Sequence, residues 1–548
     1  MTFHYEKGGS HASMITGRPP ATGTRGAVTS PHYLATIAGY DILRRGGHAV
    51  DAAIAMNLTL CVVYPHMAGL GGDLFSLLWD NKKKEIRALN GSGSASKLAT
   101  REFYNERGHK KIPSRGVLSA ITVPGAVNSW KTMHDEYGKL PWESLFESAI
   151  YYAEQGFPVS LKLSRFIERF QDELSEHKEA ARIFLPDDKP LAPGEILKQT
   201  DLGHSLRLLS KQGASVFYKG ELADAICDGV KKARGMLCKD DFSSHQAQWE
   251  ESISTMYRGY EVHQTQPNTQ GMAALMMLNY LEEYDMNEIG DQTPEYYHLM
   301  AEVAKLAFTF RDRYVTDPRT IDIPLEDLLS KQHVKETSEQ ISKETAADKE
   351  DHWDLVMNRD TVYMAVVDSE GNGVSLIESI FHEFGSMFIP EGTGILLQNR
   401  GSFFSLDEDH PNSLEPEKHT FHTIIPAMAL KDGDLFMLYG SMGGEGQPQT
   451  QASLVTRVID YGYDIQQAIE APRWLYGRTW GENTESFKLE SRATSAVFEV
   501  LKTKGHDVQL APEWAEEMGH AQGIVINKNK GSLSAGADPR GDGIALSW

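Results

Sequence analysis

A threonine at the start of a strand-like segment is the first residue of this chain whose type and position could do covalent chemistry. Thr361 follows the charged residue Asp360 and opens an apolar segment that ends at Asp368. If the peptide bond before Thr361 is cut, its own α-amino group becomes a general base beside its hydroxyl, which is one way to activate a threonine nucleophile. The alternative is a β-branched residue at an ordinary strand start. The Asp360–Thr361 junction is therefore a candidate self-cleavage site.

The turn after this segment points to a second hydroxyl. Asn372-Gly373 is a strong hairpin signal, and the residues on either side of it, 361–368 and 374–381, have the composition of strands. Pairing across the turn would bring Ser379 near Thr361, where its hydroxyl could hydrogen-bond the nucleophile. The alternative is a serine on the solvated face of the second strand.

A glycine-rich turn further along could supply the donors that a developing oxyanion needs. A predicted strand over residues 435–439 is followed by a turn that ends in Gly443-Gly444. Each backbone N–H aimed at an oxyanion is worth about 2.7–4 kcal/mol. The alternative is a strand-to-helix turn that needs positive φ. Ser441 is a weak serine-nucleophile candidate, because the G-x-S-x-G pattern requires glycine where this chain has Tyr439.

Composition argues against several classes of function. The chain has 548 residues and a formal net charge of −22, so its surface repels phosphate backbones and anionic membranes, and we expect no nucleic-acid or membrane partner. The three cysteines and the scattered histidines show no spacing typical of a disulfide framework or a metal site. The chemistry outlined above needs neither a metal nor an organic cofactor, and none is expected.

Local patterns predict several further elements. The first 26 residues resemble a disordered or tag-like lead. They carry no apolar segment typical of a secretory signal, so we expect a cytoplasmic protein. Helices are predicted from Ser30-Pro31 to about Gly46-Gly47 and over residues 294–313, the second with Thr293 as its N-cap. A strand is predicted over residues 394–397.

Segments spread along the chain resemble the γ-glutamyltransferase family of N-terminal-nucleophile hydrolases. The resemblance covers residues 27–548 and depends on the order of many short matches rather than on any single one. The matching segments are Asp51-Ala52-Ala53, Val62-Val63-Tyr64-Pro65, Leu70-Gly71-Gly72, Val123-Pro124-Gly125, Tyr257-Arg258-Gly259-Tyr260, Met300-Ala301-Glu302, Asp317-Pro318, Gly394-Ile395-Leu396-Leu397, Ala471-Pro472-Arg473 and Asp538-Pro539-Arg540.

This resemblance implies an α/β (α+β) fold, the four-layer αββα sandwich of N-terminal-nucleophile hydrolases. It also implies cleavage before Thr361 through an ester intermediate, with a large subunit of residues 27–360 and a small subunit of residues 361–548 in one intertwined domain. Thr361 falls on the family's nucleophile, Ser379 on a supporting hydroxyl and Gly443-Gly444 on the oxyanion pair. The cut subunits would form a heterodimer, and two heterodimers could associate further.

Other positions depart from the family in ways that bear on substrate choice. The family holds the α-amino group of a γ-glutamyl substrate with an acid and with an amide or acid, and Phe403 and Arg400 occupy those positions here. His422 and Thr423 stand where the family has the serine pair that binds the α-carboxylate. Phe381 replaces an asparagine on the nucleophile hairpin.

Two absences sharpen this contrast. The arginine with which the family clamps the α-carboxylate, expected within residues 91–95, is missing, and the stretch 400–426 is too short for a long lid. Arg400 is suited to a bidentate contact with a carboxylate, although a solvent-exposed arginine is the alternative. The pattern is similar to the lid-less bacterial branch that includes cephalosporin acylases.

We therefore expect a self-cleaving amide hydrolase or acyltransferase. Its substrates would be small γ-glutamyl or related carboxylate-bearing acyl amides, and water or an amine would accept the acyl group from Thr361. A glutaryl-amide acylase without γ-glutamyl preference is the alternative within the enzyme class. A non-catalytic binding relative that keeps the fold is the alternative outside it.

Overall fold

The computed structural model describes residues 16–347, 360–477 and 486–548. Its strands are, in chain order, β1 (Ala21–Gly23), β2 (Ala27–Ser30), β3 (Asp73–Asp80), β4 (Glu85–Gly91), β5 (Phe157–Pro158), β6 (Ile196–Leu197), β7 (Gln248–Glu250), β8 (Ile253–Tyr257), β9 (Tyr260–Gln264), β10 (Asp360–Val367), β11 (Gly373–Phe381), β12 (Ala427–Lys431), β13 (Asp434–Ser441), β14 (Trp474–Tyr476), β15 (Phe487–Glu490), β16 (Val508–Ala511), β17 (Ala521–Asn527), β18 (Ser532–Ala537) and β19 (Ile544–Ser547).

The α-helices are α1 (Tyr33–Arg44), α2 (Ala49–Val63), α3 (Arg101–Asn105), α4 (Ala126–Tyr137), α5 (Glu147–Gln155), α6 (Leu161–Arg169), α7 (Gln171–Ser175), α8 (Lys178–Phe184), α9 (Thr200–Gln212), α10 (Ser215–Tyr218), α11 (Glu221–Lys232), α12 (Lys239–Ser244), α13 (Gly271–Leu281), α14 (Met286–Ile289), α15 (Pro294–Tyr314), α16 (Leu325–Leu328), α17 (Lys331–Thr337), α18 (Gln447–Ile459), α19 (Ile465–Glu470) and α20 (Ser495–Thr503). None of the helices in these ranges is long and apolar enough to cross a membrane.

Two seven-stranded sheets form the centre of the molecule. The strand order is β1-β18-β17-β13-β12-β9-β8 in the first sheet and β19-β2-β10-β11-β3-β4-β7 in the second. Each sheet therefore combines strands from both sides of the Asp360–Thr361 junction. In the second sheet β10 and β11 lie between β2 and β3, so the predicted hairpin occupies the middle of a sheet.

The side chains define four layers. An apolar core between the sheets takes residues from β2, β3, β10 and β11 on one side and from β12, β13, β17 and β18 on the other. Helices including α2, α4 and α9 cover the outer face of the second sheet. Helices α13, α15 and α18 cover the outer face of the first. This arrangement confirms the αββα architecture.

Alternation along β10 shows how the sequence determines these layers. The odd-numbered residues from 363 to 367 lie in the core between the sheets, whereas the even-numbered residues from 362 to 366 pack against the helices. A strand that is apolar on both faces must be covered on both, because each face would otherwise expose apolar surface to water. Thr361 shares the odd-numbered positions.

Several local predictions are corrected. The strand expected over residues 394–397 does not form, because Leu397 makes only an isolated bridge to Gly71 and Gly394 has φ 63°. The first helix begins at Tyr33, with the His32 ring as its N-cap acceptor. The helix capped by Thr293 is confirmed as α15.

The expected disordered lead is ordered where the structure describes it. Residues 1–15 lie outside the described ranges. In the remainder, β1 pairs with β18 at the edge of the first sheet, and Thr16 donates hydrogen bonds to the Glu470 carboxylate. Residues 16–26 thus belong to the folded unit. The boundary between a large and a small subunit stays a prediction.

Candidate functional site

Thr361 lies near the start of β10, in the middle of the second sheet. Its side chain is only 2% exposed. The β10–β11 register shifts between Asp360 and Val362, so Thr361 sits at an irregularity in the ladder rather than within regular pairing. Such irregularities re-aim a side chain at the rim of a sheet and are frequent beside active sites.

Three polar side chains follow one another across the sheet at this end. Thr361 in β10 lies opposite the last part of β11, and Ser379 in β11 pairs directly with Asp73 in β3. All three occupy the face that looks toward the other sheet. Since neighbouring strands lie about 4.8 Å apart, the row spans about 10 Å. The sequence predicted that Thr361 and Ser379 would be neighbours, whereas Asp73 was not predicted.

Ser379 also determines how β11 ends. Its hydroxyl oxygen accepts a hydrogen bond from the Phe381 N–H at 2.8 Å. Phe381 has φ 82°, a left-handed conformation that a bulky residue rarely adopts. Backbone strain of this kind persists where the surroundings hold it, and it clusters at functional sites.

The facing strand β13 runs toward Thr361. A side chain at Gly373, beside the hairpin turn, would meet Leu435 near the start of β13. A side chain at Gly440, near the end of β13, would lie 2.4 Å from the Tyr363 ring. These two close approaches fix the direction of β13 relative to β10. The chain therefore leaves β13 at the end of the sandwich where Thr361 lies.

The next residues have the backbone expected of a glycine-specific turn. Gly443 has φ 131° and Gly444 has φ 54°. A Cβ at Gly443 would find no atom closer than Gly519 Cα at 3.8 Å, so backbone conformation and not space explains this glycine. The turn leads into α18, and the first N–H groups of a helical segment have no partner within it. The geometry thus fits both the oxyanion interpretation and its alternative, a strand-to-helix turn.

One buried amide joins this turn to the loop before β12. Gln270 Nε2 donates to the carbonyl oxygen of Thr423 at 2.7 Å and to that of Gly444 at 2.8 Å. The Gln270 backbone N–H donates to the His422 carbonyl at 3.0 Å. A single side chain therefore fixes the distance between the Gly443-Gly444 turn and the 422–423 loop.

Gln270 is itself held by an ion pair. Arg311 Nη1 donates to Gln270 Oε1 and Arg311 Nη2 to Glu445 Oε2, each at 3.1 Å. Both side chains of the ion pair are almost fully buried. Burial of two charges is tolerated only when they are paired and hydrogen-bonded. We call Gln270, Arg311 and Glu445 the turn clamp.

Arg400 is buried, with 1% of its surface exposed, so the solvent-exposed alternative is excluded. Its guanidinium lies 4.0 Å from the centre of the Phe381 ring, and Nη1 makes a long contact of 3.5 Å with Thr423 Oγ1. Phe403 packs between Phe381 and Phe421, with ring centres 5.7 and 5.0 Å away. We call the rings of Phe381, Phe403 and Phe421 the aromatic wall, and the Arg400 guanidinium lies against it.

A second charged group lies close to this arginine. Asp73 Oδ1 accepts the N–H groups of Gly93 and Gly125, at 3.2 and 3.0 Å. Its Oδ2 lies 3.3 Å from His422 Nε2. Burial raises the pKa of Asp73 to about 7, although the Gln398 amide and the Arg400 charge both act to lower it. Burial also holds the pKa of His422 well below its ordinary value, so that its imidazole is neutral.

The structure thus gathers the predicted residues at one end of the sandwich. Ser379 is beside Thr361, Arg400 and Phe403 share the Phe381 ring, and the turn clamp connects 422–423 with 443–444. The roles assigned to them stay predictions. Sequence reasoning missed Asp73 and the turn clamp, because these residues meet only through long-range packing; a carboxylate directly after Gly71-Gly72 was the one local signal.

Within the described ranges, one side-chain group has the spacing of a metal site. Donor atoms of His298, Glu302 and His506 lie within 4.8 Å of one another. His298 Nδ1 and His506 Nε2 hydrogen-bond each other at 2.8 Å, and Glu302 accepts from Lys305 and from the Ala347 N–H. This group lies between α15 and the residues after α20, away from the row on β10, β11 and β3.

The chain is similar over most of its length to several known proteins. The family described as Gamma-glutamyltranspeptidase matches residues 35–548. The glutathione hydrolase-like YwrD proenzyme of Bacillus subtilis is 47% identical over 96% of this chain and 98% of its own length. The oxamate amidohydrolase proenzyme of Klebsiella pneumoniae is 38% identical over 96% of this chain and 99% of its own. The crystal structure of cephalosporin acylase from Bacillus halodurans superposes with a TM-score of 0.91 at 34% identity, covering 100% and 99% of the two chains.

The fold and these similarities define an amide hydrolase of the N-terminal-nucleophile type. The chain belongs to the gamma-glutamyltranspeptidase family. The predicted family, fold class and enzyme class are thereby confirmed.

Proposed function

We propose that Thr361 is the nucleophile of a self-cleaving hydrolase that removes small carboxylate-bearing acyl groups, γ-glutamyl or related, from amides. One observation carries this proposal: a continuous series of contacts leads from the strand end beside Thr361 to a buried cation. It runs from Ser379 to Phe381, whose ring lies over Arg400, and from Arg400 to Thr423.

The turn clamp continues these contacts to the facing sheet. Gln270 links Thr423 to Gly444, and β13 leads from Gly444 back over the start of β10. A hydroxyl, two backbone N–H groups and a buried cation thus lie along one series of contacts at the same end of the sandwich. Acyl transfer needs these three: a nucleophile, an oxyanion site and a group that positions the substrate.

The chemistry follows from the positions of these groups. Cleavage before Thr361 would begin when its Oγ1 attacks the carbonyl carbon of residue 360. Breaking of the C–N bond would then leave an ester on Oγ1 and free the α-amine, and hydrolysis of that ester would release Oγ1 and separate the two pieces. In each later cycle that amine accepts the Oγ1 proton as Oγ1 attacks the substrate carbonyl. The N–H groups of Gly443 and Gly444 stabilise the oxyanion. The protonated amine then donates to the leaving nitrogen, and water or an amine acceptor releases the acyl group.

Burial and charge support the choice of acyl group. Arg400 offers a fork of donors for a carboxylate, with Thr423 and His422 beside it. Phe403, at a position where the family has a group that holds an α-ammonium, is apolar. The pocket should therefore bind a terminal carboxylate more strongly than an α-amine. Cleaved subunits held as a heterodimer, with or without further dimerisation, are part of this proposal.

One other function is a testable alternative. A glutaryl-amide acylase is favoured by the overlap with the cephalosporin acylase fold.

The first experiment is intact-mass analysis of the wild-type protein and of Thr361→Ala. We expect two pieces with a new N-terminus at Thr361 in the wild type, and one uncut chain in the variant. Ser441→Ala is the matched control, since its hydroxyl bonds the Met442 carbonyl within its own strand end, and it should cleave normally. A wild-type chain that stays whole on long incubation would refute the proposal.

The second experiment compares acyl groups. Anilides carrying γ-glutamyl, glutaryl and uncharged butyryl groups should be hydrolysed with kcat/KM in an order that places both carboxylate-bearing groups above butyryl. Preference for glutaryl over γ-glutamyl would favour the acylase. Equal rates for all three would contradict the proposed role of Arg400.

A further inference from the structure

A group of buried polar atoms beside Arg400 has unusually few partners. Within the described part of the chain, Asp73 Oδ2 and both ring nitrogens of His422 make no hydrogen bond of regular geometry, and Gln398 makes only an irregular side-chain contact with Asp73. All three side chains are buried, with at most 1% exposed. Native proteins rarely leave buried polar atoms unpaired, and each exception is explained by strain, a catalytic role or a bound polar group. These atoms, beside a buried cation, are therefore candidates for contact with a bound polar group.

Their positions show that they belong to one place. Asp73 Oδ2 and His422 Nε2 are 3.3 Å apart, and the His422 ring packs edge-on against Phe75, two residues along β3. Gln398 and Arg400 both face Asp73 closely enough to lower its pKa. Asp73 pairs with Ser379 across the ladder, so this place adjoins the Thr361–Ser379 row.

The charges at this place present a conflict. An ionised Asp73 would neutralise Arg400 and repel an incoming carboxylate. A protonated Asp73 would not oppose the Arg400 charge and would add an O–H donor. Two carboxylates that share one buried site cannot both ionise at low cost.

We propose that Asp73, His422, Gln398 and Arg400 form an anion subsite in which the acyl carboxylate binds together with one proton, taken up from solvent by Asp73. The ligand class is a small carboxylate attached to the acyl chain, held by the Arg400 fork and by the protonated Asp73. This inference rests on the proposed function and specifies how its substrate is recognised.

The state of Asp73 supports this arrangement. Burial raises its pKa to about 7, so a second negative charge nearby would complete its protonation near neutral pH. Arg400, His422, Glu378 and Tyr218 are near enough to Asp73 to act on it or be acted on by it, whereas His419 adjoins His422 and His245 adjoins Gly125. Burial lowers the pKa of His419 to about 4 and that of His245 to about 3, and raises those of Glu378 and Tyr218. Arg400 is the one guanidinium cation of this set.

A different occupant would give the opposite pH dependence. If an ionised Asp73 held the α-ammonium of a γ-glutamyl group, binding would strengthen as pH rises through 7. If Asp73 must be protonated, binding of a carboxylate weakens over the same range. The sign of one measured slope therefore separates the two arrangements.

The test is calorimetric binding of glutarate, and separately of glutamate, to the wild-type protein and to Asp73→Asn. Asparagine keeps the acceptor for Gly93 and Gly125 and imitates the protonated acid. For a proton-linked site with a pKa of about 7, glutarate should bind the wild type about 30-fold more weakly at pH 8.5 than at pH 6.0. Asp73→Asn should change by less than about 2-fold, and uptake of about one proton should appear as a dependence of the heat on the buffer at pH 8.5.

A neighbouring acid provides the control. Glu378 lies on the helix-facing side of β11 and accepts from Asn57 and from the Gly69 N–H, so Glu378→Gln should keep the wild-type slope. An unchanged slope in Asp73→Asn, no detectable binding of glutarate, or glutamate binding that tightens with pH would each overturn the subsite. Because binding is measured without turnover, these results stand apart from the cleavage experiment that tests the proposed function.

Discussion

The turn clamp and the anion subsite, the two polar regions near Thr361, differ in how many of their buried polar atoms have hydrogen-bond partners. In the turn clamp, Gln270 bonds two carbonyls and Arg311, and Arg311 in turn pairs with Glu445. In the anion subsite, Asp73 Oδ2 and the His422 ring leave atoms without regular partners. The turn clamp finds its hydrogen-bond partners within the protein, whereas the anion subsite would find its remaining partners in the ligand. A buried polar network whose hydrogen bonds are all made holds its residues rigidly, whereas one with unmade hydrogen bonds favours a ligand that supplies the missing partners.

Loss of the turn clamp should give the largest effect. Gln270→Leu removes the donor shared by Thr423 and Gly444, so the candidate oxyanion turn loses its position. We expect kcat to fall about 100-fold with little change in KM, the size associated with a lost oxyanion donor. Steady-state kinetics with glutaryl anilide would measure it.

A control for this variant lies on the same loop. Gln266 donates its amide to the Glu251 carbonyl at 2.8 Å, so Gln266→Leu should retain near-normal kcat. If Gln270→Leu instead raised KM and left kcat unchanged, Gln270 would act in substrate binding, as proposed for the anion subsite, and the distinction between the two regions would be wrong.

Removal of the Arg400 charge should affect the anion subsite, and therefore substrate binding. Arg400→Met deletes a charge-assisted contact worth about 1.5–3 kcal/mol, so we expect KM for glutaryl anilide to rise about 30-fold. The uncharged butyryl anilide is the matched control and should lose less than about 3-fold. Equal losses on both substrates would show that Arg400 supports the aromatic wall rather than the carboxylate.

Ser379 pairs with Asp73 across the ladder and lies next to Thr361, and its effect should be smaller. Ser379→Ala leaves the buried Phe381 N–H without its acceptor, a loss of about 1–3 kcal/mol, and removes the hydroxyl next to Thr361. We expect self-cleavage to slow about 10-fold, measured by the fraction cut against time on denaturing gels. Ser379→Thr keeps the hydroxyl and should restore most of the rate. Equal rates in Ala and Thr variants would argue against a role for the hydroxyl.

The smallest effect concerns stability and pH. Since the pKa of Asp73 is raised from 3.8 to about 7, the folded protein holds a proton between about pH 4 and 7 that the unfolded chain releases. Its contribution to stability is therefore present at low pH and is lost as pH rises to 7. Asparagine cannot ionise, so the Tm of Asp73→Asn relative to that of the wild type should be higher at pH 8 than at pH 5, by on the order of 2 °C. A constant difference in Tm across this range would contradict the raised pKa.

The sequence predicted what depends on neighbouring residues. The Asn372-Gly373 turn and the apolar strands beside it give the hairpin, and the hairpin register brings Ser379 to Thr361. The strand over residues 394–397 failed because backbone partners, which cannot be read from composition, decide strand formation. There Leu397 bonds Phe388 and Ser386 in a loop.

The residues of the site that the sequence did not predict were missed for a similar reason, because their partners are distant in the chain. Gln270, Arg311 and Glu445 are separated by up to 175 positions and come together only when α13, α15 and the turn before α18 pack. Nothing in the local pattern marks them as partners. Arg400 and Phe403 were found through resemblance, but the burial of Arg400 and the acid beside it required the structure.

The interleaved strand order has a consequence for how the protein would withstand damage. In both sheets, blocks of strands from before and after the Asp360–Thr361 junction lie next to each other, so a cut there would leave two pieces that still share both sheets. The intact precursor can refold as one molecule, at a rate independent of concentration. The cut protein would have to find its other half by diffusion, so its refolding would slow on dilution. Its lifetime would then depend on how slowly it unfolds rather than on how readily it recovers.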